Sequence, residues 1–376
     1  PDERNITARE QMYLDAVEIL YGEGDKPMRD TGYMQAMQAL HQAYPDDLDA
    51  ASFYALSILG SVYERDFATY MRAAAILEEV FAKEPRHPGA AHYLIHSYDD
   101  QVHAPLGLRA ARIYAQIAPG ASHAQHMVSQ IFTSLGMWDE VIEANRAAVR
   151  VSEESMLRAK KPITQRSKHA LHWLEYALLQ QGRFDEAKET LVTMKQDFAA
   201  DPNLGQLWHY AMMRGSWISE DPLKDAAMPS VDTAELPLDG RVLDRFSSGL
   251  LYVANAKFEL AGAELAEIQR EIKAARVLSV EEGLHEDDTA TSEDGYLLAT
   301  IMSRALEALL LFHSGQLDSA VSLREAAAAD ENSRPLYYGP PHVPKPTSEL
   351  LGEMLLTLDR PAEAAIHFQV SLDHHT

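Results

Sequence analysis

Residues 182–187 read GRFDEA, and residues 136–141 read GMWDEV. Two further stretches follow the same plan: GQLDSA at 315–320 and the looser DRPAEA at 359–364. Each lies between two runs of apolar residues at helical spacing. Before Gly182 stand Leu174, Ala177 and Leu178, and after it Ala187, Leu191 and Met194. Around Gly136 the runs are Ile131, Phe132 and Leu135, then Val141, Ala144, Ala148 and Val151. Glycine ends one helix in the left-handed conformation and the chain reverses into the next. The unit is therefore a helix, a tight turn and an antiparallel second helix. Trp138 and Phe184 hold the hydrophobic position of that turn and are expected to pack between helices.

Prolines extend the pattern upstream. Pro45, Pro85 and Pro119 punctuate the ends of helix pairs, because proline stops one helix and fixes the start of the next. Helical pairs are expected over about 7–43, 47–83, 88–117, 121–151, 165–198, 241–279, 294–330 and 346–372. No strand pattern competes, so the expected class is all-α.

The repeated turn resembles the tetratricopeptide repeat family. The resemblance implies a right-handed superhelical solenoid of stacked hairpins whose first helices line a concave groove. The blocks HPGAAHYLIHSYDD, SHAQHMVSQIFTSLGMWDEVIEAN and ELLGEMLLTLDRPAEAAIHFQVSL are similar to a group of bacterial tetratricopeptide-repeat proteins, from about residue 7 to 372. That group carries further repeats ahead of this starting point, which implies an upstream portion. Its members read His-Met-Pro-Ser-His where this chain has His126-Met-Val-Ser-Gln130, so a glutamine replaces one histidine. No activity comes with the resemblance.

Three stretches break the regular spacing. Residues 215–240, rich in Pro, Asp and Ser, read as an irregular connector between a front subarray (1–214) and a rear one (241–376). Residues 281–295 form an acidic stretch without the alternating ligands of a calcium loop. Residues 335–346 hold five prolines, and Tyr337 and Tyr338 are placed there as candidate groove-wall residues.

Composition narrows the partners. Lys and Arg number 33 against 57 Asp and Glu, a net charge of −24, which disfavours nucleic acid and anionic lipid. No uninterrupted apolar run reaches membrane-spanning length, so no membrane insertion is expected. The absence of cysteine excludes disulfides, thiolate metal sites and cysteine nucleophiles. The chain starts at Pro1, consistent with loss of an N-terminal segment, and a soluble protein of cytoplasm, periplasm or exterior fits equally. No Gly-x-Ser-x-Gly elbow, phosphate-binding glycine loop or dinucleotide fingerprint is present.

Histidine is the residue with a pattern. Eight of the sixteen lie between 87 and 172. His123 and His126 stand 13 and 10 residues before Gly136, and His169 and His172 stand 13 and 10 before Gly182. Aligning Pro88-Gly89 with Pro119-Gly120 places His92 opposite His123. Residues at i, i+3, i+4 and i+7 share a helix face. The first helices would then present His92, His96 and Asp99; His123, His126 and Gln130; and His169, His172, Trp173 and Tyr176.

Three readings of this ladder stand side by side: a hydrogen-bonded structural stack, a zinc, copper or iron site, or a surface for a peptide, protein segment or small ligand. The metal set would be His92, His96, His123, His126 and His169, with Asp99 as ligand or orienter. His92 and His96 lack the intervening Glu of the His-Glu-x-x-His peptidases, so hydrolysis is not indicated. The basic cluster Arg158, Lys160, Lys161, Arg166 and Lys168 either attracts an anion or is a solvated connector. His103, His342, His367, His374 and His375 have no partner by spacing.

Overall fold

The computed structural model describes residues 6–62, 65–220, 228–281, 293–335 and 339–375. These form seventeen α-helices and one 3-10 turn, with no strand among the described residues. Contacts gather the chain into two compact units, residues 1–135 and 136–376.

In the first unit, α1 (Ala8–Leu20) pairs with α2 (Lys26–Ala43), α3 (Leu48–Gly60) with α4 (Phe67–Lys83), and α5 (Pro88–Tyr98) with α6 (Ala104–Ile117). The seventh helix, α7 (Ser122–Ser134), packs on α5 and α6. Aspartates start several of these helices by accepting a backbone N–H: Asp25 from Met28, Asp47 from Ala50, Asp66 from Thr69. Ala16, Met37, Leu40 and Ala50 join α1, α2 and α3 in one apolar cluster.

The second unit holds α8 (Trp138–Ala159), α9 (Lys168–Gln180), α10 (Phe184–Ala200), α11 (Leu204–Glu220), α12 (Leu238–Ala254), α13 (Phe258–Glu281), α14 (Glu293–His313), α15 (Leu317–Asn332), α16 (Thr347–Thr357) and α17 (Pro361–His375). The predicted turn residues have the conformation the motif requires. Gly182 and Gly315 sit at φ +66 and +83, and Asp359 at +58. Behind each, the same pair of bonds closes the helix; at Gly182 they run from its N–H to Leu179 O and from Arg183 N–H to Leu178 O.

A further copy of the turn escaped the sequence reading. Between α12 and α13 stands Ala256-Lys-Phe-Glu-Leu-Ala261, with Ala256 at φ +56 and Lys257 N–H donating to Tyr252 O. Alanine replaces the glycine, which removes the signal while the backbone keeps the geometry. At three of the turns an aromatic residue follows and reaches the next hairpin. Trp138 meets Tyr176 of α9 edge-on at 6.0 Å, Phe184 meets Trp217 of α11 at 6.4 Å, and Phe258 meets His313 of α14 at 5.0 Å.

The stretch 215–240 lies inside the second unit, and it is less irregular than its composition suggests. Residues 215–220 complete α11, which packs on α12 across the connector; residues 221–227 lie outside the described residues. So do 282–292 of the acidic stretch, and Tyr337 and Tyr338. Among the described residues, α14 is the one helix long and apolar enough to cross a bilayer. Half of that apolar stretch is buried against its neighbours, as in a core helix.

Candidate functional site

In the first unit the histidine face starts with the way α5 begins. His87 caps the helix, its Nδ1 accepting from Ala90 N–H at 3.1 Å while Nε2 lies 3.2 Å from Asp49. Pro88 at the first helical position needs no N–H partner. One turn later His92 is half-buried between α6 and α7. Its ring lies nearly parallel to Tyr114 at 5.2 Å and beside Tyr93 at 5.2 Å, with His96 at 4.9 Å and His123 edge-on at 5.0 Å. The Nε2 atoms of His92 and His123 are 3.2 Å apart.

Burial first, then the neighbouring His96 and His123, lowers the His92 pKa to about 3. His123, although exposed, is lowered in the same direction by desolvation and by His96. Both are neutral at pH 7, so one Nε2 donates to the other. The phenols of Tyr33, Tyr93 and Tyr114 are raised by burial and within electrostatic reach, Tyr93 acting on the other two. His92, Tyr93, Tyr114 and His123 thus form an uncharged, aromatic cluster of hydrogen-bond donors and acceptors, with Asp49 within electrostatic reach of Tyr93. Tyr33 and Tyr114 belong to second helices, which the one-face reading of first helices could not bring in.

Asp99 is not on that face. It is 1% exposed, and Arg65 donates to it at 2.6 Å and to Asp100 at 3.1 Å. Arg65 also lies 4.4 Å over the Tyr70 ring. Asp100 in turn accepts from the backbone N–H of Val102 and His103 and contacts His103 Nδ1 at 3.0 Å. The paired aspartates therefore tie the α5–α6 corner, and His103 has a partner that helical spacing does not reveal. His96 Nδ1 stays 3.6 Å from Asp99, beyond a good hydrogen bond. His126 and Gln130 are buried within α7.

The second unit brings together His169, His172 and a histidine that the repeat frame did not find. Ser167 caps α9 by accepting from Ala170 N–H. His209 of α11 faces His169 at 5.5 Å and His172 at 5.4 Å between ring centres, with Nδ1 3.3 Å from Nδ1 of His172. Its pKa falls to about 3, from burial and then from His169 and Lys168. No turn glycine follows α11, so nothing aligned His209 with the ladder.

His169 is exposed, whereas every residue from Ala170 to Leu179 is buried. His172, Trp173 and Tyr176 are consequently interior, and the expected open face of α9 is covered. Glu175 is 0% exposed, and neither carboxylate oxygen has a hydrogen-bond partner. Burial, with Glu220 nearby, raises its pKa well above the ordinary carboxylate value. Of the basic cluster, Arg166 is ion-paired with Glu153 and with Asp197, the latter at 2.9 Å. It ties α8 to α10. Among the described residues, no three His, Asp or Glu side chains converge to hold a metal ion.

Hairpins closed by left-handed turn residues, three of the turns sending an aromatic side chain to the next hairpin, make an α-helical repeat array whose turns resemble those of tetratricopeptide repeats. Among solved structures the chain is similar to a tetratricopeptide repeat protein from Parabacteroides merdae, at 11% identity over 92% of this chain and 98% of that one, with a TM-score of 0.43. It is similar also to the MamA RS-1 ArsTM double mutant, at 12% identity over 53% of this chain and 100% of that one, TM-score 0.42. Cut9 in its APC/C hetero-tetramer with Hcn1 is matched at 12% identity over 98% of this chain and 79% of that one, TM-score 0.33. No family model and no curated protein matches the chain.

Proposed function

We propose that the chain is a protein-binding scaffold whose first unit presents the His92, Tyr93, Tyr114 and His123 face to a peptide segment of a partner. The observation that carries this reading is the uncharged cluster itself. Aromatic planes and neutral imidazoles, one of them exposed, suit backbone amides and apolar side chains, and no nucleophile with a positioned base stands among them. The net charge of −24 further favours partners that are neutral or basic.

A peptide library displayed on phage, selected on the whole chain and counter-selected on His123→Ala, tests it. Selected peptides are expected to bind the unaltered chain and to lose at least tenfold in affinity on His123→Ala. The variant's unfolding midpoint should stay nearly unchanged, because His123 is exposed. Peptides that bind both chains equally would overturn the assignment of this face.

The 3.2 Å separation of His92 and His123 Nε2 also supports a second reading. Two imidazoles at about 2.0–2.1 Å from a tetrahedral zinc ion stand about 3.3 Å apart. The pair supplies two donors, so a partner carboxylate or water would complete the shell. Elemental analysis of protein purified without a tag separates the two readings, since a scaffold of the first kind carries no stoichiometric zinc, copper or iron.

A further inference from the structure

A single carboxylate stands at the edge of the His92–His123 face. Asp49, in the first turn of α3, has a side chain 67% exposed, and one of its oxygens lies 3.2 Å from His87 Nε2. Its charge acts on the Tyr93 phenol. His87 and Tyr93 flank the same point of α5, where a methyl on Gly89 would stand 3.3 Å from one ring and 3.4 Å from the other. From Tyr93 the rings continue to His92 at 5.2 Å, and from His92 to Tyr114 at 5.2 Å and to the exposed His123 at 5.0 Å.

An aromatic ring carries negative potential on its face, so it attracts a cation and repels an anion. The first unit uses that attraction for its own cations three times among the described residues, each time with a carboxylate beside the ring. Arg9 lies 5.2 Å over Tyr13 and 2.5 Å from Asp47, and Arg65 lies 4.4 Å over Tyr70 and 2.6 Å from Asp99. Arg109 lies 5.5 Å over Phe81 and 2.6 Å from Glu78. Tyr93 and Asp49 are a fourth ring and carboxylate, half-buried and exposed respectively. Among the described residues no lysine or arginine acts on Tyr93, His92, Tyr114 or His123. The two imidazoles beside Tyr93 are neutral and bring no positive charge of their own.

We infer that this face anchors its partner peptide by a lysine or arginine side chain, whose cationic head lies against the Tyr93 ring beside Asp49 and whose aliphatic stem lies along His92 and His123. The inference rests on the peptide-binding reading of the face and names the residue type it selects. A long basic side chain suits such a site because its stem covers apolar surface while its head stays at the wet edge. The net charge of −24 draws any basic peptide toward the chain. Selection at one position is a separate, local effect, and Asp49 is the residue that isolates it.

The test uses an array of acetylated hexapeptide pools, each with one position fixed as one amino acid and the others mixed, probed with the full chain. Lysine- and arginine-fixed pools are expected to bind most strongly, and to lose that lead when acetyl-lysine or citrulline, which keep the length without the charge, takes the fixed position. Their binding should fall at least fivefold on Asp49→Asn and on His123→Ala. Glu140→Gln removes one exposed charge from α8, in the other unit, and is expected to change nothing. An equal fall there would mean that overall charge draws the pools, and overturns the inference. Should Asp49→Asn lower the unfolding midpoint, the acetyl-lysine and citrulline pools, read with His123→Ala, decide in its place. Binding that depends on His123 but is led by another residue type, or is indifferent to Asp49→Asn, overturns the inference and leaves the peptide-binding face standing. Binding indifferent to His123→Ala, or none on any pool, overturns both.

Discussion

Arg65 holds Asp99 at 2.6 Å and Asp100 at 3.1 Å, one guanidinium serving two carboxylates that are each 1% exposed. The pairing explains why two adjacent aspartates can close α5 inside the first unit. Removing one member of a buried pair strands the other, a loss of about 3–5 kcal/mol. Arg65→Ala is therefore expected to lower the chemical-denaturation stability of the first unit by about that amount. Asp99→Asn should lose less, because Arg65 keeps Asp100. Equal, small losses in both variants would show that the network does not carry the corner.

Glu175 points the other way. Its carboxyl is buried without a partner, and its raised pKa keeps it protonated above the range where an unfolded glutamate ionises. A raised carboxylate pKa contributes stability below the unfolded value of 4.5 that is lost as pH rises toward the folded value. Glu175→Met keeps the volume and removes both orphaned oxygens, which cost about 1–3 kcal/mol when unsatisfied. The variant is expected to be more stable than the parent, with a larger gain at pH 7 than at pH 4.5. Thermal unfolding at the two pH values measures the difference, and a gain that does not depend on pH would show that Glu175 is ionised in place.

How much of this was legible depends on how local each cause is. A left-handed helix end demands glycine at Gly136, Gly182 and Gly315, so three turns can be read from the residue alone. At Ala256 the same φ is imposed by packing on either side, and nothing in the residue reports it. Helical spacing grouped His92 with His96, and the repeat frame set His92 opposite His123. It also grouped Trp173 and Tyr176 with His169, yet that face is closed by residues distant in sequence: Trp138 lies on Tyr176, His209 on His172, and Gly339, more than 160 positions away, on Trp173. His209 escaped for want of a turn to align it. Asp99 was misplaced because its partner Arg65 comes from the preceding hairpin.

The turns give a matched pair of predictions. Gly182→Ala places a Cβ where the left-handed conformation crowds it, and should destabilise by roughly 1 kcal/mol. Ala256→Gly relieves the same strain at φ +56 and should stabilise by a similar amount. Urea unfolding of the two variants, with unchanged denaturant slope, checks both signs. A loss of stability in Ala256→Gly would mean that the alanine methyl packs usefully where the backbone pattern shows only strain.

Three half-buried imidazoles set the acid limit of the fold. Burial holds His92 and His209 at about 3 and His342 at about 4, against 6.5 for a free imidazole. A depressed histidine pKa leaves stability undiminished above 6.5, where neither state binds the proton. As pH falls below 6.5 the unfolded chain takes up protons that the folded chain refuses, so stability declines until the folded pKa is reached. The slope for each is at most about 1.4 kcal/mol per pH unit, and is reduced because solvent partly reaches all three rings. The unfolding midpoint should therefore drop steadily between pH 6.5 and 4, and His209→Gln should flatten that slope by one proton's worth while changing little at pH 8. Unaltered slopes in the variant, or a His209 signal that titrates near 6.5 by NMR, would place that imidazole in solvent and undo the pairing with His172.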